Sequence, residues 1–102
     1  MARIVVTPGA LRDLERLRQF LQTRNPPAAR RAAMAIWQAL QTLAVAPEAN
    51  RPDPQLPQHR ELVIKFGASG HIARYHYLPG GEVTVLCVKH QREGDCSGQP
   101  ST

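Results

Sequence analysis

The sequence has few cysteines, no long apolar run and no internal repeat. Only Cys87 and Cys96 occur in 102 residues, too few for a disulfide framework or a four-ligand zinc site. We therefore expect no metal and no other cofactor. Cys87 lies within an apolar run and is predicted to fill the core, because free cysteine is among the most often buried residue types.

No apolar run approaches the roughly 20 residues that a membrane helix needs. The opening residues, Met1 to Val6, are too few for a secretory signal, so we expect a cytoplasmic protein without membrane association. The length of 102 residues suits one domain with one core. We expect that domain to span residues 1–93 and residues 94–102 to form a flexible tail, because Gly, Ser and Pro give the tail little reason to order.

The sequence pattern of the segment from Arg60 to Glu93 predicts a β-sheet. Its apolar runs are rich in Val, Ile, Tyr, Phe and Thr, whose side chains suit a pleated surface. Two short Gly- and Pro-containing segments separate the runs, as is typical of hairpin turns. The pattern predicts a three-stranded antiparallel meander, with strands over 62–66, 72–78 and 83–88.

The residues before the meander predict one strand and two helices. Arg3 to Val6 form a short β-branched run that is expected to pair with the meander. Thr7-Pro8 and Asn25-Pro26-Pro27 are helix starts, since Thr and Asn cap free amides and Pro tolerates the first helical turn. The helices should end near Thr23 and before Pro47, and their short link makes them an antiparallel hairpin. Residues 47–58 read as an extended surface connection, and the whole is α+β with a mostly antiparallel four-stranded sheet.

The first helix has a predicted buried stripe and a polar face. The stripe consists of Ala10, Leu14, Leu17 and Leu21, widened by Leu11 and Phe20. Asp13 falls among the charged residues that are predicted to face solvent. In the second helix, Trp37 is either at the edge of the core or an anchor for a partner, because exposed Trp is enriched at binding hot spots.

The net charge of +5 is concentrated in the helical half. Residues 7–46 carry six arginines against two acidic residues, Arg3 adds one more positive charge, and residues 47–102 are neutral overall. Such an excess favours acidic partners without specifying nucleic acid.

Six local motifs, in order, resemble the ParE branch of the RelE/ParE toxin superfamily. They are TPGALRDL, NPPAA, LAVAP, HREL, ARYHY and VLCVKHQRE, and together they span nearly the whole chain. The resemblance implies the RelE/ParE-like fold: an N-terminal strand, an antiparallel helical hairpin and a three-stranded antiparallel meander.

The same resemblance implies the toxin of a type II toxin–antitoxin module. Its partners would be DNA gyrase, which ParE-like toxins poison to block replication, and a ParD-like antitoxin with an acidic, partly disordered segment. A hetero-oligomer with the antitoxin is expected, without direct nucleic-acid binding. Two alternatives stay open: a RelE-like, metal-independent endonuclease that cuts mRNA on the ribosome, and an inactive toxin that only binds its antitoxin.

Candidate site residues follow from these alternatives. Metal-free RNA cleavage needs proton-transfer groups and cations near the phosphate; the candidates are Arg60, Arg74, His90 and Arg92. The candidates for partner binding are Arg12, Arg16, Trp37, Arg60, Arg74, His76, His90 and Arg92. His76 stands where the ParE-like branch commonly has Arg, which replaces a permanent charge with a titrating one. His59 and His71 are predicted to be solvated beside turns.

Overall fold

A computed structural model describes residues 1–66 and 69–91. Arg92, Cys96 and the expected tail over residues 94–102 lie outside the described residues. No helix within the described residues is both long enough and apolar enough to cross a membrane.

Both helices begin where the capping residues predicted. Helix α1 spans Pro8–Arg24, and the Thr7 side chain accepts a hydrogen bond from the Ala10 amide at 3.1 Å. Helix α2 spans Pro26–Val45, and Asn25 Oδ1 accepts from the Ala28 amide at 3.2 Å. Because Asn25 alone links the helices, α2 folds back on α1. The predicted helical hairpin is confirmed.

The sheet has five strands rather than the four predicted. They are β1 Ile4–Val6, β2 Arg51–Pro52, β3 His59–Phe66, β4 Ser69–Tyr77 and β5 Val83–His90, in the order β1-β5-β4-β3-β2. The antiparallel meander β3-β4-β5 is confirmed. Compared with the apolar runs, β3 and β4 each begin three residues earlier, β4 ends one residue earlier, and β5 continues two residues further. The extra strand β2 is a short edge within the predicted connection, paired with β3 through Arg51 and Glu61.

The first strand joins the sheet in parallel with the last one, which makes the sheet mixed. Ile4 to Val6 pair with Val83 to Val85. Directly after β1, the Thr7 amide and hydroxyl both donate to the Val85 carbonyl, at 3.1 and 2.9 Å. Thr7 therefore fixes the start of α1 to β5 while it also caps the helix.

The helices cover one face of the sheet and form the core with it. The buried apolar residues include Ala10, Ile36, Leu40 and Leu43 from the helices and Leu62, Ile64, Ala73, Tyr75, Val83, Val85 and Val88 from the strands. Cys87 is buried, as predicted, but it is disulfide-bonded rather than a free thiol. Because side chains alternate along a strand, the opposite face of β3 and β4 carries polar residues.

The predicted burial of α1 is wrong at three positions. Leu11 and Phe20 are about half exposed, and Arg24 lies over the Phe20 ring at 4.0 Å. Asp13, predicted to face solvent, is only 7 % exposed. Its Oδ2 accepts a hydrogen bond from the Val88 amide at 3.1 Å. The helix is thus rotated so that Asp13 faces β5, close to the point where β5 shifts register against β4.

Candidate functional site

Polar side chains converge on the face of β3 and β4 that the helices leave open. The strand register places His59 opposite His76 and Glu61 opposite Arg74. Asp53, from the connection between β2 and β3, reaches the same place. We call these five residues, Asp53, His59, Glu61, Arg74 and His76, the Arg74 cluster.

The Arg74 guanidinium is held from three sides. Nη2 is paired with Asp53 Oδ2, and Nη1 donates to Glu61 Oε2 at 3.2 Å. Nε donates to His59 Nδ1 at 3.5 Å. The Arg74 and Asp53 side chains remain about one-fifth exposed. The cluster is therefore reachable from solvent, but each nitrogen of the guanidinium already has an acceptor.

The two histidines of the cluster are in contact, and their environment disfavours charge on His59. The rings lie edge to face with centroids 5.6 Å apart. Burial lowers the pKa of His59, the positive charges of Arg74 and His76 lower it further, and Asp53 opposes them. A neutral His59 is also what the contact with Arg74 requires, since only an unprotonated Nδ1 can accept. The prediction that His59 is solvated beside a turn is wrong, because it begins β3 and is partly buried.

Lowering the pH from about 7.5 to 5.5 is expected to reduce the free energy of unfolding. In the unfolded chain His59 titrates near about 6.5, whereas its pKa in the folded chain is lower. The unfolded state then binds more protons. The contribution of His59 to the free energy of unfolding is therefore fully present above a pH of about 6.5 and is lost as the pH falls towards the folded pKa. One such group contributes at most about 1.4 kcal/mol per pH unit, and partial exposure reduces this.

Urea unfolding at several pH values checks this expectation. His59→Gln should flatten the pH dependence most, and His76→Gln should flatten it less, because burial and Arg74 lower the pKa of His59 more than His76 does. An unchanged slope in His59→Gln would contradict the assignment.

Asp53 has a second role in the turn before β3. Its Oδ1 accepts from the Gln55 amide at 2.7 Å and the Leu56 amide at 3.2 Å. The hydrogen bond from Arg74, followed by that from the Gln55 amide, holds the pKa of Asp53 below its usual value. The sequence predicts residues 47–58 as an extended surface connection only, so it does not single out Asp53. The dipeptide Asp53-Pro54 is a local turn signal, and it could have indicated that Asp53 stabilises a turn here.

Arg60 and Tyr75 attach the segment after α2 to the sheet. Arg60 Nη1 donates to the carbonyls of Asn50 at 2.7 Å and Glu48 at 3.1 Å. The Tyr75 hydroxyl donates to the Pro47 carbonyl at 2.7 Å and accepts from Asn50 Nδ2 at 3.1 Å. Burial is the main reason that the pKa of Tyr75 is raised. Arg60 thus lies on the helix-facing side of β3, away from Arg74.

A second histidine pair lies at the other end of β4. His71 pairs across the strands with His90, and their ring centroids are 5.2 Å apart. His71 is only 4 % exposed, so the prediction that it is solvated is wrong. The pair borders a groove of about 500 Å³ between α1 and the sheet, whose lining consists of Arg16, Leu17, Phe20, Leu21, Phe66, His71 and His90.

The predicted site residues therefore lie in separate places. Arg12, Arg16 and Trp37 are exposed on the helical hairpin, where Trp37 (42 % exposed) borders a crevice of about 200 Å³ between α1 and α2. Arg16 Nη2 lies 3.7 Å from Asp13 Oδ1. Arg74 and His76 share the open face of the sheet, while Arg60 and His90 are on the other face. Within residues 1–66 and 69–91, no group of three or more His, Cys, Asp or Glu is placed to hold a metal ion.

Comparisons with known proteins agree with this architecture. A solved chain of the chromosomal ParDE TA system from P. aeruginosa superposes with a TM-score of 0.71 at 21 % identity, covering 88 % of this chain and 96 % of that one. At this identity the likeness shows the fold.

Relatives found by sequence have a higher identity to this chain, and the matches cover most of both proteins. Toxin RelE3 of Caulobacter vibrioides is 34 % identical over 93 residues, covering 91 % of this chain and 98 % of that protein. Toxin RelE1 of the same organism is 37 % identical over 90 residues, covering 88 % and 94 %. The model of the family described as ParE toxin of type II toxin-antitoxin system, parDE, matches residues 4–94. The chain therefore belongs to the ParE toxin family of type II toxin–antitoxin systems.

Proposed function

We propose that this toxin acts by binding a protein target, DNA gyrase, and so blocks replication, and that a ParD-like antitoxin neutralises it in a cytoplasmic hetero-oligomer. The family resemblance supports gyrase as the target. The observation that carries the proposal is the state of Arg74: its guanidinium is held by Asp53, Glu61 and His59. A nuclease of this fold would need such a cation free to stabilise the charge that develops on the phosphate.

The other candidates for RNA cleavage are dispersed. Arg60 is bound to two backbone carbonyls. His90 pairs with His71 on the helix-facing side of the sheet, whereas Arg74 is on the open side. Side chains on opposite faces of a sheet cannot act on one phosphate. Arg92 lies outside the described residues.

One observation favours mRNA cleavage as a second candidate function. Burial lowers the pKa of His59, which favours its neutral form, and His59 touches His76 and contacts Arg74. A neutral imidazole next to a second one can accept and return a proton near neutral pH. The test of the proposed function therefore also has to measure mRNA cleavage on translating ribosomes.

Purified toxin should inhibit gyrase without cleaving mRNA. In a supercoiling assay, supercoiled product should fall and linear, gyrase-linked DNA should accumulate, because a poison must favour the cleaved-DNA state of the enzyme. In parallel, translating ribosomes with toxin should give no new primer-extension stops. Antitoxin added in excess should restore gyrase activity.

Two results would replace the proposal. Codon-dependent stops that disappear in Arg74→Ala or His59→Gln would establish the nuclease. Unaffected gyrase over a wide toxin concentration range, together with tight antitoxin binding, would establish an inactive toxin that only binds its antitoxin.

A further inference from the structure

We propose that Arg74, His59 and His76 form a phosphate-binding site that the chain blocks with its own Asp53. The ligand is a phosphoryl group, either free phosphate or the phosphodiester of a single-stranded nucleic acid. This inference goes beyond the proposed function, since gyrase inhibition can hold or fail without it.

The three side chains suit an anion in number and placement. Arginine presents several N–H donors in a planar fork that matches the oxygens of a carboxylate or a phosphate. His59 and His76 flank it on the same face, one on each of two neighbouring strands. The Arg74 side chain is partly exposed, so a ligand from solvent can approach it.

Asp53 occupies the place where such a ligand would bind. Its Oδ2 pairs with Arg74 Nη2, as a phosphate oxygen would. Unlike Glu61, which lies directly opposite Arg74 in the strand register, Asp53 comes from the turn between β2 and β3. A carboxylate supplied by a turn can leave Arg74 without breaking the pairing of β3 with β4.

The local charges keep the site closed in the wild-type protein. With His59 neutral, Asp53 and Glu61 place two negative charges beside the single guanidinium. Arg51 is the strand partner of Glu61. From β5, the strand partners of Arg74 and His76 are Cys87 and Thr84; Thr84 is uncharged, and so is Cys87, which is disulfide-bonded. An incoming anion therefore meets bound carboxylates, and loss of the Asp53 charge should release Arg74.

Asp53→Asn separates this role of Asp53 from its role in the turn. Asparagine keeps an Oδ1 that can accept from the Gln55 and Leu56 amides. It removes the negative charge next to Arg74, so the variant should fold with its turn intact. Circular dichroism and the thermal midpoint check this for each variant.

Binding should be compared in the wild type, Asp53→Asn and Asp53→Asn/Arg74→Gln. Inorganic phosphate is titrated by calorimetry, and a short single-stranded RNA by fluorescence anisotropy at two salt concentrations. Glu15→Gln changes the net charge equally on the outer surface of α1, where Glu15 pairs with Arg18, and is the matched control.

Asp53→Asn should bind at least one of these probes at least about tenfold more tightly than the wild type. This gain is expected because the substitution removes a negative charge, which repels an anion, from beside a partly exposed cation. The gain should be absent in Glu15→Gln and lost in the double variant. A gain with RNA alone identifies a nucleic-acid backbone as the ligand, and an equal gain with phosphate identifies the free anion. Unchanged binding of both probes in Asp53→Asn, or a gain that survives loss of Arg74, would overturn the proposal.

Discussion

Asp13→Ala should lower the free energy of unfolding by about 1 to 3 kcal/mol, the cost of leaving a buried donor without its acceptor. The donor is the Val88 amide, which gives its hydrogen bond to Asp13 Oδ2 at 3.1 Å in a buried position. Since Asp13 is on α1 and Val88 on β5, the variant loses a contact that joins the helical layer to the sheet. Urea unfolding at pH 7 measures the effect.

Two further variants make this test specific. Asp13→Asn keeps an acceptor for the Val88 amide and should recover a large part of the loss. Glu15→Ala, two residues along the same helix, removes an exposed carboxylate that pairs with Arg18 and should change stability by less than about 1 kcal/mol. Equal losses in Asp13→Ala and Glu15→Ala would show that the hydrogen bond to β5 is not the cause.

Arg12→Glu should weaken antitoxin binding at least about tenfold, which corresponds to roughly 1.4 kcal/mol. Arg12 is exposed on α1, in the half of the chain that carries the positive excess. We expect the acidic antitoxin segment to fold over this half, and disordered segments can cover a large surface when they bind. Affinity should also fall with added salt, because exposed charges are screened.

Arg51→Glu is the matched control for this prediction. It makes the same charge change at an exposed residue, but on the edge strand β2 instead of the hairpin. Calorimetric titration with purified antitoxin at low and moderate salt should show a small effect for Arg51→Glu and a large, salt-dependent one for Arg12→Glu. Similar losses in both variants would mean that location of the charge does not matter.

The elements that sequence predicted well are those specified by neighbouring residues. Thr7 and Asn25 cap amides three residues ahead of them, so both helix starts can be read from short segments. The strands of the meander follow from β-branched runs and the turns between them. In each case the interaction that fixes the element is local.

The features that were missed depend on contacts between distant parts of the chain. Asp13 sits among charged residues and looks solvated, because its partner is a backbone amide 75 positions away. The parallel pairing of β1 with β5 joins residues near the two ends of the described chain, and no short segment indicates its direction. The Arg74 cluster needed the register of β3 against β4, which brings His59 to His76 and Glu61 to Arg74.

The pairing of β1 with β5 has a consequence for synthesis of the toxin. Ile4 to Val6 leave the ribosome well before their partners, Val83 to Val85. Contacts so far apart in sequence form late and slowly. Until β5 is released, β1 has no neighbour in the sheet and Thr7 cannot attach α1 to it. A ribosome that stalls before β5 therefore leaves a fragment in which β1 cannot pair and the sheet cannot close.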